Sequence, residues 1–260
     1  MKLVRVLNKE VQENKKNLFI YALTIALVLF VQEVGGAFFI RMTGGIQPAE
    51  NGYLTNFIGF LFLGGFITTS IIFSDDMFSR IGQHNWLMLP ASRLQKFLAK
   101  GLLTAIAYPI ALAVLLTVVS IVVEAIALLF FGNPFIMFNP FTRHIGIMML
   151  HYLVTQSIFL LGATYFRKTH FVKTVLSLGV IGILLAILST IMVRIVFAPY
   201  FTGPFGFHFS IDSYVMYDHL TLVRVSKWIG SVIYWAILPA FCWYTAYLRV
   251  KEVQATDAIR

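Results

Sequence analysis

The chain is expected to be an all-α, polytopic membrane protein with six transmembrane helices, and three observations lead there. Six apolar stretches, at about 18–40, 53–73, 102–131, 145–166, 172–197 and 228–248, each supply the roughly 20 residues that a hydrocarbon core of about 30 Å requires. The composition is 59% hydrophobic and 12% charged, with a mean hydropathy of +0.83. The basic residues alternate from one side to the other. Fifteen fall in the N-terminal segment (Lys2, Arg5, Lys9, Lys15, Lys16), the 2–3 loop (Arg80, Arg93, Lys96, Lys100), the 4–5 loop (Arg167, Lys168, Lys173) and the tail (Arg249, Lys251, Arg260). Only five (Arg41, Arg143, Arg194, Arg224, Lys227) fall on the other side. Positive charge is retained on the cytoplasmic face, so both termini are expected inside, in a multi-pass plasma (inner) membrane protein. Residues 1–260 form a single transmembrane domain, since the longest interval between spans is 198–227.

The net charge of +9 excludes little by itself. Most of it lies beside span ends, where anionic lipid headgroups account for it and no nucleic-acid partner is needed. The one cysteine, Cys242, has no partner within the chain for a disulfide or a multi-cysteine metal site. No removable targeting segment is expected, because the apolar run Leu18 to Ile40 is too long for a signal peptide.

Residues 1–17 precede the first span and have a different character. Leu3, Leu7 and Val11 recur every four positions, with Arg5, Lys9, Glu10 and Glu13 around them. This predicts an amphipathic helix in the headgroup plane, the alternative being a charged extension of helix one. The connection from span two to span three, which begins at Asp75 and Asp76, carries the most information. Pro90 disfavours helix at Leu89. Ser92 with Gln95 has the spacing of a capping box, so a helix should start at Arg93 and run into span three. The 30 apolar residues from Leu102 reach ~45 Å, so that helix tilts or projects. Trp86, Leu87, Met88 and Leu89 form an apolar cluster ahead of the capped helix, and such a patch needs a partner. Outside, Pro199, Gly203, Pro204 and Gly206 among Phe201, Phe205, Phe207 and Phe209 suggest a short interfacial structure before span six.

The run Leu87-Met88-Leu89-Pro90-Ala91-Ser92-Arg93-Leu94-Gln95-Lys96-Phe97-Leu98-Ala99-Lys100 resembles the L-x-x-L-P-x-S-R…K segment between helices two and three of ABC-2 type transporter permease subunits, the membrane domains of bacterial ABC exporters. The six-span layout, inside termini, amphipathic N-terminus and longer 5–6 outer loop extend the resemblance over nearly the whole chain. It implies a cytoplasmic coupling helix that docks into an ABC ATPase subunit, with Trp86, Leu87, Met88, Leu89, Pro90, Ser92, Arg93 and Lys96 as the ATPase-coupling residues. It also implies pairing with a second permease copy or paralogue, and short extracellular helices between spans five and six. Many relatives carry a glutamate upstream of the motif; here that stretch is Phe78-Ser79-Arg80-Ile81-Gly82, with only Asp75 and Asp76 near.

Within the spans, Gln32, Glu33, Glu124, His151 and Gln156 are the candidate pathway residues, because a charged or polar group inside a bilayer needs compensation. The glutamates either line a pathway or fix packing, by an interhelical hydrogen bond or a pair with Arg194. His151 and Gln156 share no helical face. Gly35-Gly36, Gly64-Gly65, Gly179 with Gly182, and Gly230 are expected to mark close helix approaches, and Pro109 and Pro239 to bend spans three and six. Catalytic motifs are missing: there is no H-E-x-x-H, no G-x-S-x-G and no Cys/His cluster of metal-ligand spacing. The nearest phosphate-loop match, Gly162 to Thr169, has Arg167 in place of the second glycine. No enzyme activity and no cofactor are therefore expected of this chain, and ATP would be bound by a partner subunit. The leading expectation is a permease subunit that couples ATP hydrolysis by a separate ATPase to substrate translocation. The alternative is a membrane scaffold or sensor that holds a cytoplasmic partner without transport.

Overall fold

A computed structural model of the protein describes residues 2–43, 52–78, 88, 91–132, 135–166, 169–196, 201–202, 208–209 and 220–252. Six helices account for nearly all of them, and all six are long and apolar enough to cross a membrane. Helix α1 is Lys2–Thr43, α4 is Arg143–Tyr165 and α5 is His170–Val196. The other three are each interrupted by one π turn. Helix α2 (52–78) comprises Gly52–Gly59, the π turn Phe60–Gly64 and Gly65–Phe78. Helix α3 (93–131) comprises Arg93–Leu102, the π turn Leu103–Ala107 and Tyr108–Phe131. Helix α6 (220–252) comprises Leu220–Val232, the π turn Ile233–Ile237 and Leu238–Glu252.

Two boundaries depart from the sequence reading. The amphipathic 1–17 segment is not a separate interfacial helix over its described part, because α1 runs unbroken from Lys2. No proline, and no glycine before Gly35, interrupts it. Its 42 residues amount to about 63 Å, twice the thickness of a hydrocarbon core, so it projects as one rod. Helix α6 starts at Leu220 rather than 228, so Arg224 and Lys227 sit exposed in its early turns instead of in a loop. The short extracellular helices that the family resemblance implies between spans five and six lie outside the described residues. Of the described residues there, Phe201–Thr202 (β1) pairs antiparallel with His208–Phe209 (β2).

Helices α2, α3 and α4 form the centre. Helix α1 lies along α3, α5 packs on α4 and α2, and α6 packs on α4 and on the start of α3. Two apolar clusters hold this arrangement. One gathers Phe73, Phe97, Leu160, Ala163, Ala246 and Val250, at the end that carries Lys96, Lys100, Arg249 and Lys251. We call this the basic end. The other gathers Leu29, Tyr53, Phe57, Leu61, Leu112, Leu116, Phe138, Ile145 and Tyr152. At the far end the chain between α3 and α4 folds back over the bundle. Gly132 ends α3 in the left-handed conformation (φ 68°), a geometry that costs glycine little. Phe138 is then buried against Phe57, ring centroids 5.4 Å apart, and its N–H donates to Ser120 Oγ at 3.1 Å.

The glycine expectation holds at one site. A Cβ on Gly64 would overlap Tyr108 Oη, and one on Gly65 would overlap the Tyr152 ring. Nothing lies within 4 Å of such an atom at Gly35, Gly36, Gly179, Gly182 or Gly230. Glycines not expected at close helix approaches make tight contacts instead, among them Gly101 against Trp243, joining α3 to α6, and Gly162 against Thr174, joining α4 to α5. Beyond Thr174, which is buried against α4, α5 lies largely on the surface of the chain.

Candidate functional site

At the basic end, Ser92 is the N-cap of α3. Its Oγ accepts from the Gln95 N–H at 3.3 Å, and Gln95 Oε1 accepts from the Ser92 N–H at 3.3 Å. This reciprocal pair starts the helix at Arg93, as the S-x-x-Q spacing predicts. The Arg93 guanidinium donates to the Lys251 carbonyl at 2.8 Å. That carbonyl lies in the last turn of α6, where carbonyls lack intrahelical partners and the dipole favours a cation. The start of α3 is thus strapped to the end of α6. Phe97 reinforces the strap, with Phe73 at 5.8 Å, Trp243 at 5.6 Å and Tyr247 at 5.7 Å between ring centroids. Lys96 is buried and engaged within the protein. Met88 is helical and 70% exposed. Trp86, Leu87, Leu89 and Pro90 lie outside the described residues.

A polar seam runs between α2, α3 and α4, and it follows from the π turns. In α3 the Tyr108 N–H donates to the Leu103 carbonyl, and Pro109 has no N–H. The Thr104 carbonyl is therefore left without a donor from its own helix. Tyr152 of α4 fills the gap, its hydroxyl donating to that carbonyl at 2.8 Å. In α2 the Gly65 N–H donates to the carbonyls of Leu61 and Phe62, skipping Phe60. Here the Tyr108 hydroxyl donates to the Phe60 carbonyl at 2.6 Å. An unsatisfied carbonyl in hydrocarbon costs on the order of several kcal/mol, so each tyrosine stabilises a helix irregularity that lipid would penalise. Gln156, fully buried, donates through Nε2 to Thr104 Oγ1 (3.0 Å) and Thr69 Oγ1 (3.4 Å). Those hydroxyls donate in turn to the carbonyls of Lys100 and Gly65. Gln156 Oε1 has no donor among the described residues.

At the far end, Glu124 accepts from the Tyr53 hydroxyl at 2.9 Å and from the Ile136 N–H at 3.4 Å. It ties α3 to α2 and to the returning chain. Glu33 of α1 lies against Gly52, where a Cβ would sit 2.8 Å from its Oε1, and within Coulombic reach of Glu124. The two carboxylates and Tyr53 therefore form one cluster, while Gln32 beside them is exposed. His151 faces α6, its Nδ1 2.8 Å from Tyr234 Oη and its ring 4.9 Å from that of Trp235. The five candidate pathway residues are thus divided among three places, and His151 and Gln156 face different neighbours. No three His, Cys, Asp or Glu side chains converge as metal ligands among the described residues.

The sequence reading missed Tyr108, Tyr152, Thr69 and Thr104. A signal for part of this was present. Each π turn in α3 and α6 begins six residues before a proline, at Leu103 before Pro109 and at Ile233 before Pro239. In both cases the N–H before the proline reaches five residues back, Tyr108 to Leu103 and Leu238 to Ile233. Which neighbouring side chain would fill the skipped carbonyl was not legible. In comparisons with known proteins, the chain matches no family model, no curated protein and no solved structure.

Proposed function

We propose that this chain is the membrane-spanning permease subunit of an ABC-2 type exporter, coupling ATP hydrolysis by a separate ATPase subunit to movement of a substrate across the plasma (inner) membrane. The reading is supported chiefly by the construction of the basic end. A capped helix start is joined by a short connection to α2, strapped by Arg93 to the end of α6, and preceded by the exposed Met88. A force applied to residues 86–92 from the cytoplasm would reach α2, α3 and α6 together. In this reading the docking surface is apolar, from Trp86 to Leu89, since Arg93 and Lys96 are engaged within the protein. Helix α5 and the far-end half of α6 offer apolar faces that a second permease copy or a paralogue would cover, with lipid around the remainder. Both termini would lie in the cytoplasm.

The test is recovery of the complex from its native membrane with a tagged chain. An ABC-type ATPase should co-purify. In the double variant Leu87→Asp with Met88→Asp it should be lost by at least about tenfold while the chain still inserts, because charge in a desolvated contact lacks a counter-charge. Absence of any ATPase with the unmodified chain, or its full retention and coupling in the double variant, would overturn the assignment in favour of the scaffold reading.

A further inference from the structure

The buried positions of α2 recur every four residues, at Tyr53, Phe57, Leu61, Gly65, Thr69 and Phe73, and the exposed ones do likewise, at Thr55, Gly59, Leu63, Ile67 and Ile71. A regular α-helix turns about 100° per residue, so a four-residue repeat drifts by about 40° per step and about 200° over five steps. Such a stripe cannot keep facing α3 and α4 unless the helix contains extra residues. The π turn Phe60–Gly64 supplies one, removing about 100° of that drift. At this turn Tyr108 Oη donates to the Phe60 carbonyl. Each flank also has contacts of its own. On the far-end side Phe57 packs on Phe138, and Tyr53 donates to Glu124. On the basic-end side Phe66 stacks on Phe159 at 4.0 Å, and Phe73 meets Phe97.

We propose that the Tyr108 hydroxyl is a releasable latch that sets the helical register of α2. While it is bonded to the Phe60 carbonyl, the extra residue stays at Phe60–Gly64. When it is withdrawn, the carbonyl takes an N–H of its own helix, and one half of α2 turns by about one residue, roughly 100°, relative to the other. Tyr108 also closes the π turn of α3, whose own skipped carbonyl is held by Tyr152. A displacement of α3 against α2 therefore acts on the latch directly. Gly64 and Gly65 make this possible, because a side chain at either would exclude the tyrosine that approaches there. The device does not depend on the exporter reading, although the half of α2 that would turn is the one leading into the connection at 79–91.

The experiment is a spin-label scan of single cysteines at 66–73, with Cys242 replaced by alanine, reading collision with lipid-soluble oxygen. With Tyr108 intact, oxygen accessibility should peak at Ile67 and Ile71, the exposed positions. In Tyr108→Phe the peaks should move by one residue relative to a reference scan of 52–59. Deleting Leu63, a 59% exposed residue of the π turn, should return them to their original faces in that background. The same deletion should leave them unmoved when Tyr108 is present, because the helix then closes as a regular α-helix in the same register. If Tyr108→Phe fails to accumulate in membranes, deletion of Leu63 must rescue it. Unchanged peaks in Tyr108→Phe, a failure of the deletion to restore them or to rescue accumulation, or a shift caused by the deletion alone would each overturn the proposal.

Discussion

Glu124 shows how a single residue changes meaning once its neighbours are known. A carboxylate late in an apolar helix is compatible with a pathway or with packing, and both readings were open on the sequence. In the fold its two oxygens accept from Tyr53 and from the Ile136 backbone, so it has a packing role whatever else it does. Glu124→Gln keeps an acceptor oxygen for Tyr53, whereas Glu124→Ala leaves that hydroxyl and the Ile136 N–H without their acceptor. Thermal unfolding in detergent should therefore place the glutamine variant close to the unmodified chain and the alanine variant about 1–3 kcal/mol lower. Equal midpoints for the two would remove the packing role. A fall in transport for glutamine at normal stability would add a pathway role for the Glu33–Glu124 cluster. The glycines teach the same lesson. Gly64 and Gly65 receive tyrosines while Gly179 and Gly182 receive nothing, although all four read alike as small residues in an apolar run.

At the scale of elements, two kinds of signal behaved differently. Local ones were reliable: Ser92 with Gln95 places the start of α3 at Arg93, because a cap is made by residues three apart and needs no tertiary partner. Ser92→Ala should cost about 1 kcal/mol, which is roughly fivefold in local opening. Hydrogen exchange at the amides of Leu94 to Lys96 should rise by that factor, and exchange equal to that of the unmodified chain would show that the cap contributes nothing. Periodic signals were weaker. The four-residue stripe of α2 was hidden, since in a membrane helix the lipid-facing positions are as apolar as the buried ones. The lengths of α1 and α6 were underestimated because charged residues were taken as span limits, whereas a helix continues past them until a breaker occurs.

For the whole molecule, the fifteen-to-five division of basic residues predicts which end faces the cytoplasm. Arg93, Lys96, Lys100, Arg249 and Lys251 do collect at one end of the bundle. Single cysteines at Ser79 and Thr202, in a chain lacking Cys242, should label from opposite sides of the membrane, with Ser79 on the cytoplasmic side. Labelling of both from one side would dismantle the six-span arrangement.

The sequence by itself determined that there are six membrane-length apolar helices, the start of α3, and the polar residues that need partners. These follow from composition and from contacts between residues close along the chain. Only the tertiary structure decided which helices are central, that Glu33 lies in the neighbourhood of Glu124 while His151 and Gln156 face different neighbours, and that tyrosines of α3 and α4 complete the backbone of their neighbours. The reason is physical. In an apolar solvent every face of a helix is permitted to be hydrophobic, so the partner of each face is chosen by shape and by the few unsatisfied hydrogen-bonding groups. Both are properties of two helices together.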